Sequence, residues 1–180
     1  MNNLALEDLG SIQSKASAKV DSRLALIAIL QNAFSGELAA AYAYRGHWKS
    51  LGDAAEREKI RSIENDEWVH RANVKAMLSE LDAAPRRMRE VRAWTIGRVL
   101  GVGCHMIGWF LPMYFAGRLE SRNIVEYEDA AQHARILGHA KYLAELEVMA
   151  EVERDHEAFF LSMVTGHSLL PLARSLFKWG

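Results

Sequence analysis

The stretch "EWVH", residues 67–70, places a glutamate and a histidine three positions apart in a segment that is typical of a long helix. Side chains at positions i and i+3 of a helix are neighbours, with Cβ atoms about 5–6 Å apart, so both can reach one metal ion. The only other glutamate in the sequence with a histidine at this spacing is Glu153, in "ERDH", which ends at His156. One such pair is more often a surface pair, but two pairs on two helices favour a shared metal centre.

The composition favours a single all-α domain over residues 1–180. Half of the residues are hydrophobic, and there are only three prolines, so long uninterrupted helices are possible. A formal net charge of −1 gives no electrostatic footprint for nucleic acid, and the single cysteine, Cys104, excludes an internal disulfide or a four-thiolate metal site. The N-terminal stretch lacks the pattern of a secretory signal. We therefore expect a cytoplasmic protein that binds no nucleic acid.

Turn and capping signals define the first half of the fold. Residues 1–20 form a polar, weakly helical lead-in, and the first long helix is predicted from about 21 to 50. Asp53 followed by Glu56 is typical of a capping box, which opens a second helix that ends near residue 81. The short connection between these helices predicts an antiparallel hairpin.

The second half repeats this arrangement. A third helix is predicted from about 87 to 137, either kinked at Pro112 or with the part before Pro112 as a separate element. A fourth helix covers about 140–164. The two hairpins would form a four-helix bundle with its core at about 21–164, followed by an amphipathic helical tail at 165–180.

A centre built from two Glu-x-x-His helices needs one further glutamate from each of the other two helices. The first helix offers Glu37, which lies among alanine, serine and glycine residues, an environment unlike a solvated charged face. The third helix offers Glu120, Glu126 and Glu128. The sequence therefore predicts Glu37 as a ligand and leaves a choice in the third helix.

An internal repeat favours Glu120 over Glu126. In an antiparallel hairpin, residues at the same height are equally far in sequence from the turn. The positions midway between Glu120 and Glu153 and midway between Glu126 and Glu153 both fall near the predicted turn, so this symmetry allows either residue. However, Tyr127 follows Glu120 by seven residues, just as Tyr44 follows Glu37. Seven residues are about two helical turns, so each tyrosine shares a face with its glutamate. Each tyrosine either packs in the core or acts near the metals.

Four carboxylates and two imidazoles are ligands that suit iron, with manganese as an alternative. The negative charges of the four carboxylates also offset the positive charges of two divalent ions. The remaining histidines, at positions 47, 105, 133, 139 and 167, are expected to be structural or surface residues. The predicted metal ligands are Glu37, Glu67, His70, Glu120, Glu153 and His156.

Five segments of the chain resemble the demethoxyubiquinone hydroxylases, di-iron monooxygenases of ubiquinone biosynthesis within the ferritin-like superfamily. Four of them contain the predicted ligands, and the fifth resembles the family's Gly-rich apolar segment. The likeness covers about residues 34–162. The segments are "GELAAAYAYRGHW" (36–48), "NDEWVHRANVKAMLSEL" (65–81), "GRVLGVGCHMIGW" (97–109), "RLESRNIVEY" (118–127) and "EVERDHEAFF" (151–160).

This resemblance implies a ferritin-like bundle in which the six predicted ligands hold two iron ions. It further implies that O2 is activated and one oxygen atom is inserted into the ring of a demethoxylated quinone or quinol. NADH would supply the electrons, and Tyr127 and Tyr44 would lie close to the quinone or the reacting oxygen. The chain departs from the family's pattern at Phe34–Ser35 (usually His-Ala), at His47 (usually Gln) and at Glu126 (usually His).

Two apolar segments raise the question of a membrane. Residues 99–117 are almost uncharged and nearly long enough for a spanning helix, and the tail mixes Leu, Phe and Trp with Arg174 and Lys178, a composition suited to an interface. A lipophilic quinone would be reached by a protein bound peripherally to the inner membrane face. Alternatively, both segments bury against each other or against a second subunit, and a homo-oligomer is expected.

Two other functions use the same ligands. A ferritin-like or rubrerythrin-like iron oxidase or peroxidase needs the metal centre but no lipophilic tunnel. A non-catalytic helical scaffold would use the metals for stability alone.

Overall fold

The computed structural model describes the backbone of residues 3–180 and the side chains from Ala16 onward. Over this range the chain forms helices and no strand, which confirms the all-α prediction. Helices α1 and α2 form one antiparallel hairpin and α4 and α5 the other, as in a ferritin-like bundle. That residues 1–180 are one domain stays a prediction. The helices are α1 (Asn3–Ser50), α2 (Ala54–Glu80), α3 (Arg87–Gly103), α4 (Phe110–Leu137), α5 (Ala140–Val164) and α6 (Leu170–Phe177).

One predicted boundary was wrong. Helix α1 begins at Asn3, so residues 3–20 of the predicted lead-in are the first part of α1 and not a separate segment. The predicted third helix is two helices, α3 and α4, as in the alternative interpretation. The chain between them includes Gly108, whose φ of 78° favours glycine. Pro112 causes no kink, because it lies in the first turn of α4, where a backbone N–H has no intrahelical partner and its absence costs no hydrogen bond.

The turn between α1 and α2 contains half of the predicted capping box. Asp53 is the N-cap of α2, and its Oδ1 accepts a hydrogen bond from the backbone N of Glu56 at 2.9 Å. The Glu56 carboxylate does not return to the cap, because its Oε2 accepts a hydrogen bond from Trp109 Nε1 at 2.8 Å. Glu56 therefore ties the α1–α2 turn to the segment before α4.

Helix α3 lies outside the four-helix core and packs on α1 through small residues. The buried residues of α3 are Ala93, Gly97 and Gly101, spaced four apart. A Cβ atom at Gly46 of α1 would overlap the backbone of Gly101, and a Cβ at Gly97 would lie 2.9 Å from the Cα of Ala39. The two helices can approach this closely only because these positions lack side chains. Glu90 and Gly103 are half-buried, and the other residues of α3 are exposed.

The C-terminal tail packs against the bundle, and part of it stays exposed. Trp179 is buried, its backbone O accepts a hydrogen bond from Tyr114 Oη at 2.8 Å, and its Nε1 donates to Glu157 Oε1 at 2.7 Å. The indole ring fills the space that a side chain at Gly117 would occupy. The opposite face of α6 leaves Leu172 exposed. The helical tail is therefore confirmed, with one side buried and one side open.

The bundle interior has two apolar clusters, separated along the helices by a polar layer. On every helix of the two hairpins, the predicted ligands lie between residues of one cluster and residues of the other. The first cluster contains Leu26, Leu30, Val74, Met77, Leu78, Tyr127, Ala130, Leu146 and Met149, among others. The second contains Tyr44, Ile60, Ile63, Met113, Tyr114, Phe160, Val164 and Trp179, among others.

One segment of the described chain, Ala16–Ser50 in α1, is long and apolar enough to cross a membrane, with a mean hydropathy of 1.4 over the relevant window. Of that window, 44% is buried within the bundle, and the core helix of a soluble protein has the same composition. This is therefore a weak indication of a spanning helix. The segment proposed from the sequence, 99–117, is not a continuous helix, because the chain leaves helical structure between α3 and α4.

The contact between α1 and α3 predicts opposite effects for two glycine substitutions. Gly46→Ala should lower the free energy of unfolding by about 1–3 kcal/mol, because the new methyl group overlaps the backbone of α3. Gly36→Ala, at an exposed helical position with nothing within 4 Å of the new Cβ, should raise it by about 0.5–1 kcal/mol. Urea denaturation of both variants and the wild type tests this. Equal effects of the two substitutions would contradict the packing described here.

Candidate metal centre

The six predicted ligands converge in the layer between the two apolar clusters. They form two groups of four residues, and within each group one ligand atom per residue lies within 4.8 Å of all the others. All six side chains are buried. The first group is Glu37, Glu67, His70 and Glu153, and the second is Glu67, Glu120, Glu153 and His156.

Glu67 and Glu153 belong to both groups, so they lie between two adjacent positions for a metal ion. Each position is completed by one glutamate and one histidine of its own. Both positions therefore receive the same set of donors, related by the repeat of the two hairpins. This cluster could bind two metal ions that share two carboxylates, which is the arrangement of a di-iron carboxylate site.

Unpartnered polar atoms show that the residues fit a cationic ligand. In the described part of the chain, nine buried side-chain N and O atoms lack a hydrogen bond of good geometry, and seven of them belong to this cluster. Two of the seven, His70 Nδ1 and Glu153 Oε1, contact each other at 3.0 Å. No lysine or arginine among the described residues forms an ion pair with its four carboxylates. Buried carboxylates need compensation of their charge, and two divalent cations would supply it.

The tyrosines of the repeat connect the two hairpins. Tyr44 Oη, on α1, donates a hydrogen bond to Glu120 Oε1 on α4, and Tyr127 Oη, on α4, donates to Glu37 Oε1 on α1. Each tyrosine therefore holds the glutamate of the opposite hairpin, and the second oxygen of Glu37, Oε2, has no hydrogen-bond partner among the described residues. Asn123 Nδ2 also donates to Glu120 Oε2 at 3.2 Å. The seven-residue spacing seen in the sequence follows from this exchange, since glutamate and tyrosine must lie on one helix face.

One residue beside the cluster was missed in the sequence. Asp66 Oδ2 lies 3.1 Å from His156 Nε2, the outer nitrogen of that imidazole. The inner nitrogen, Nδ1, lies 3.7 Å from Glu153 Oε2 and 3.9 Å from Glu67 Oε1. A carboxylate on the outer nitrogen fixes the orientation of a metal-binding histidine. The available signal was the position of Asp66 directly before the first Glu-x-x-His pair.

The electrostatics of the cluster favour protonation when no metal is bound. Burial, followed by the charge of nearby carboxylates, raises the pKa of Glu67 and of Glu120 well above the usual value, and burial also raises the pKa of Glu37. For Glu153, burial acts in the same direction, but contacts with His156 and His70 outweigh it and lower the pKa to about 2. Metal binding must therefore displace protons from this cluster.

The alternative third-helix ligands lie outside the cluster. Glu126 is half-buried, and burial, together with the charge of Glu37, raises its pKa to about 7, but it is in neither group of potential ligands. Glu128 is exposed and pairs with Arg154. Among the three candidates, the structure brings only Glu120 together with the other predicted ligands. The metal-binding role of the six residues stays a prediction.

These features define a class of protein: a ferritin-like bundle with a buried carboxylate and histidine cluster of the di-metal type. Residues 25–127, more than half of the chain, match the family model described as ubiquinone biosynthesis protein COQ7. The chain therefore belongs to this family and has a role in ubiquinone biosynthesis, which confirms the resemblance inferred from the sequence. The match includes four of the predicted ligands and ends before the second Glu-x-x-His pair. No curated protein and no solved structure matches the chain significantly.

The raised pKa values predict how the stability of the metal-free protein depends on pH. A carboxyl group whose pKa is raised by folding contributes stability below its ordinary pKa and loses it as the pH rises through the folded value. The contributions of Glu153, with a pKa of about 2, and of His47, with a pKa of about 4, are complete above about pH 6.5. In that range the groups with raised pKa values determine the trend, and all of them act in the same direction: Glu37, Glu67, Glu120, Glu126 and His70.

We therefore expect the melting temperature of the metal-free protein to fall as the pH rises from about 6.5 to about 8.5. With bound metal, whose affinity increases as the ligands lose protons, the fall should disappear. Thermal unfolding across this pH range, once with a chelator and once with Mn²⁺ or anaerobic Fe²⁺, measures the pH dependence of the melting temperature without and with metal. Parallel pH dependences in the two conditions would contradict the proposed link between the cluster and the metal.

Proposed function

We propose that this protein is a di-iron, O2-dependent monooxygenase that hydroxylates a demethoxylated quinone or quinol ring in ubiquinone biosynthesis. The observation that best supports this is an apolar cavity of about 140 Å³ between α1, α3 and α4, beside the cluster. Its wall includes Tyr44, whose hydroxyl group donates to Glu120. The other lining residues are Ala43, His47, Leu100, Cys104, Ile107, Leu111, Pro112, Phe115, Ala116 and Leu119.

The character of this cavity favours a lipophilic substrate. Its wall is mainly aliphatic and aromatic, and several lining side chains also reach the protein surface, with Leu100 53% and Ile107 50% exposed. A substituted quinone ring with a prenyl tail matches such a site, which binds by apolar contact with few polar groups. An iron oxidase or peroxidase acts on Fe²⁺, O2 or H2O2 and has no use for it. A scaffold would have no use for it either.

In this proposal the six buried residues hold two iron ions, and manganese is the alternative that the same donors suit. When bound, the iron pair supplies the activation of O2. Tyr44 and Tyr127 keep Glu120 and Glu37 oriented through their hydrogen bonds. Tyr44 also separates the cavity from the cluster, so its hydroxyl group lies at the boundary between substrate and metals. The apolar clusters on either side exclude water from the site.

The proposed reaction replaces one C–H bond of the ring with a C–OH group. One atom of O2 enters the ring, and the other leaves as water. The two electrons that this requires come from NADH, which becomes NAD⁺, and the two protons come from NADH and from the solvent. Because the electrons can enter through the quinone itself, the protein needs no nicotinamide site beside the metals.

The exposed surface of α3 supports a peripheral position on a membrane. It carries apolar side chains, including Val99 and Val102, together with the exposed Arg87, Arg92 and Arg98. Apolar and basic side chains on one helix are typical of binding to anionic lipid surfaces. The cavity opens beside this helix, so a quinone could enter from the bilayer. We propose a location on the cytoplasmic face of the inner membrane, and a homo-oligomer stays a prediction.

The test is to follow oxygen from ¹⁸O2 into the product. The iron-loaded protein, a demethoxylated quinol with a short prenyl tail, and NADH should give a hydroxylated quinone that contains one ¹⁸O atom per molecule. Mass spectrometry detects it. Consumption of O2 that does not depend on the quinol, without a hydroxylated product, would contradict the proposal and favour an oxidase.

The same assay tests the two tyrosines. Tyr44→Phe and Tyr127→Phe should each lower the turnover about tenfold, because each removes one hydrogen bond that orients a glutamate. Tyr142→Phe is the matched control, since its hydroxyl group donates to Glu80, which is outside the cluster, at 2.8 Å. If all three variants have the same turnover, the hydroxyl groups of Tyr44 and Tyr127 have no catalytic importance.

A further inference from the structure

His47 is a buried imidazole with a free hydrogen-bonding atom. Its exposed fraction is 2%, and its Nε2 has no hydrogen-bond partner among the described residues. The ring stacks on Phe160, with ring centroids 6.3 Å apart and an interplanar angle of 14°. A buried polar atom without a partner destabilises a fold, and native proteins contain few of them. The packing of the protein alone does not explain why an imidazole occupies this position.

The position of His47 connects it to the apolar cavity. It follows Tyr44 by three residues, so both side chains lie on the same face of α1 and both line the cavity. The Tyr44 hydroxyl group already donates to Glu120, and Cys104, the other polar side chain in the wall, has only a weakly donating thiol. Among the residues that line the cavity, His47 is therefore the one with a strong hydrogen-bonding atom to spare.

The chemistry of this atom suits both redox forms of a quinone. Burial lowers the pKa of His47 to about 4, so the imidazole is neutral near pH 7. A neutral imidazole has one donating and one accepting nitrogen, depending on the tautomer. It can donate to the carbonyl oxygen of a quinone or accept from the hydroxyl group of a quinol. Apolar pockets commonly rely on a few such polar groups to orient a ligand.

We propose that His47 is a positioning residue, whose Nε2 forms a hydrogen bond with one ring oxygen of the bound quinone or quinol. The remaining contacts in the cavity are apolar and leave the ring free to rotate, whereas this bond fixes which ring carbon faces Tyr44 and the cluster. The inference rests on the proposed function, and it adds the residue that determines the orientation of the substrate.

Equilibrium binding tests the proposal without turnover. The probe is a demethoxylated quinone with a short prenyl tail, titrated into the anaerobic iron-loaded protein and followed by quenching of tryptophan fluorescence. His47→Leu should weaken binding about tenfold, the value of one hydrogen bond, and His47→Gln, which keeps a donor and an acceptor, should restore most of it. In turnover with the quinol, kcat should also fall, because without this bond part of the bound substrate lies in orientations that do not react, and His47→Gln should restore it.

His133→Leu is the matched control. It removes a histidine outside the metal cluster that also has a buried nitrogen without a partner, and His133 does not line the cavity. Its affinity for the probe should equal that of the wild type. The melting temperature of His47→Leu should not fall, because the substitution removes an unsatisfied polar atom, so a loss of affinity could not be attributed to unfolding.

A second probe has the same ring substituents and tail but lacks both ring oxygens. If His47 binds a ring oxygen, His47→Leu should not weaken the binding of this probe, although it weakens that of the quinone. Equal effects of His47→Leu on both probes, or no effect on either, would overturn the proposal and leave the proposed function intact. If the wild type binds neither probe, both the proposed function and this inference are wrong.

Discussion

Four glutamate side chains share one buried layer of the bundle with two histidines and with no lysine or arginine paired to them in the described structure. Like charges at this distance cannot all ionise without compensation, so the layer must take up protons or cations. Burial raises the pKa of three of the carboxyl groups, which shows how the metal-free chain meets this constraint. Two divalent ions would meet it better, because they also satisfy the unpartnered oxygen and nitrogen atoms. The apolar clusters above and below the layer exclude water, so solvent cannot compensate the charges of the carboxylates.

The same layer joins the two hairpins and lies beside the apolar cavity. Tyr44 and Tyr127 each cross from their own hairpin to a glutamate of the other, so the two halves are held in register at the cluster. On one side, the close contact of Gly46 with Gly101 brings α3 against α1. The chain then turns through Gly108 into α4, and the apolar cavity lies in the angle between these helices. Tyr44 lies in the wall of that cavity, and its hydroxyl group donates a hydrogen bond to Glu120, one of the proposed metal ligands.

Much of this was readable from the sequence, because ligand spacing and helical period are local properties. Two Glu-x-x-His pairs and the repeated seven-residue spacing of glutamate and tyrosine were sufficient to predict the bundle and to choose Glu120. Of the two alternatives for the third helix, the kink at Pro112 was wrong and the separate element before Pro112 was right, since a proline in the first turn and a proline at a kink look alike in sequence. Asp66 was missed for a different reason. Its contact with His156 joins two helices that are distant in the chain, and its position directly before the first Glu-x-x-His pair does not by itself encode that contact.

If the buried cluster holds two metal ions, the iron content of the purified protein will show them. Elemental analysis after anaerobic loading with Fe²⁺ should give about two iron ions per chain in the wild type. The Glu67→Ala/Glu153→Ala double variant, which removes both shared carboxylates, should hold almost none. Glu126→Ala, close to the cluster but outside it, should keep the wild-type value. A wild-type protein without iron, or a double variant with undiminished iron, would contradict the assignment of this cluster as a site for two metal ions.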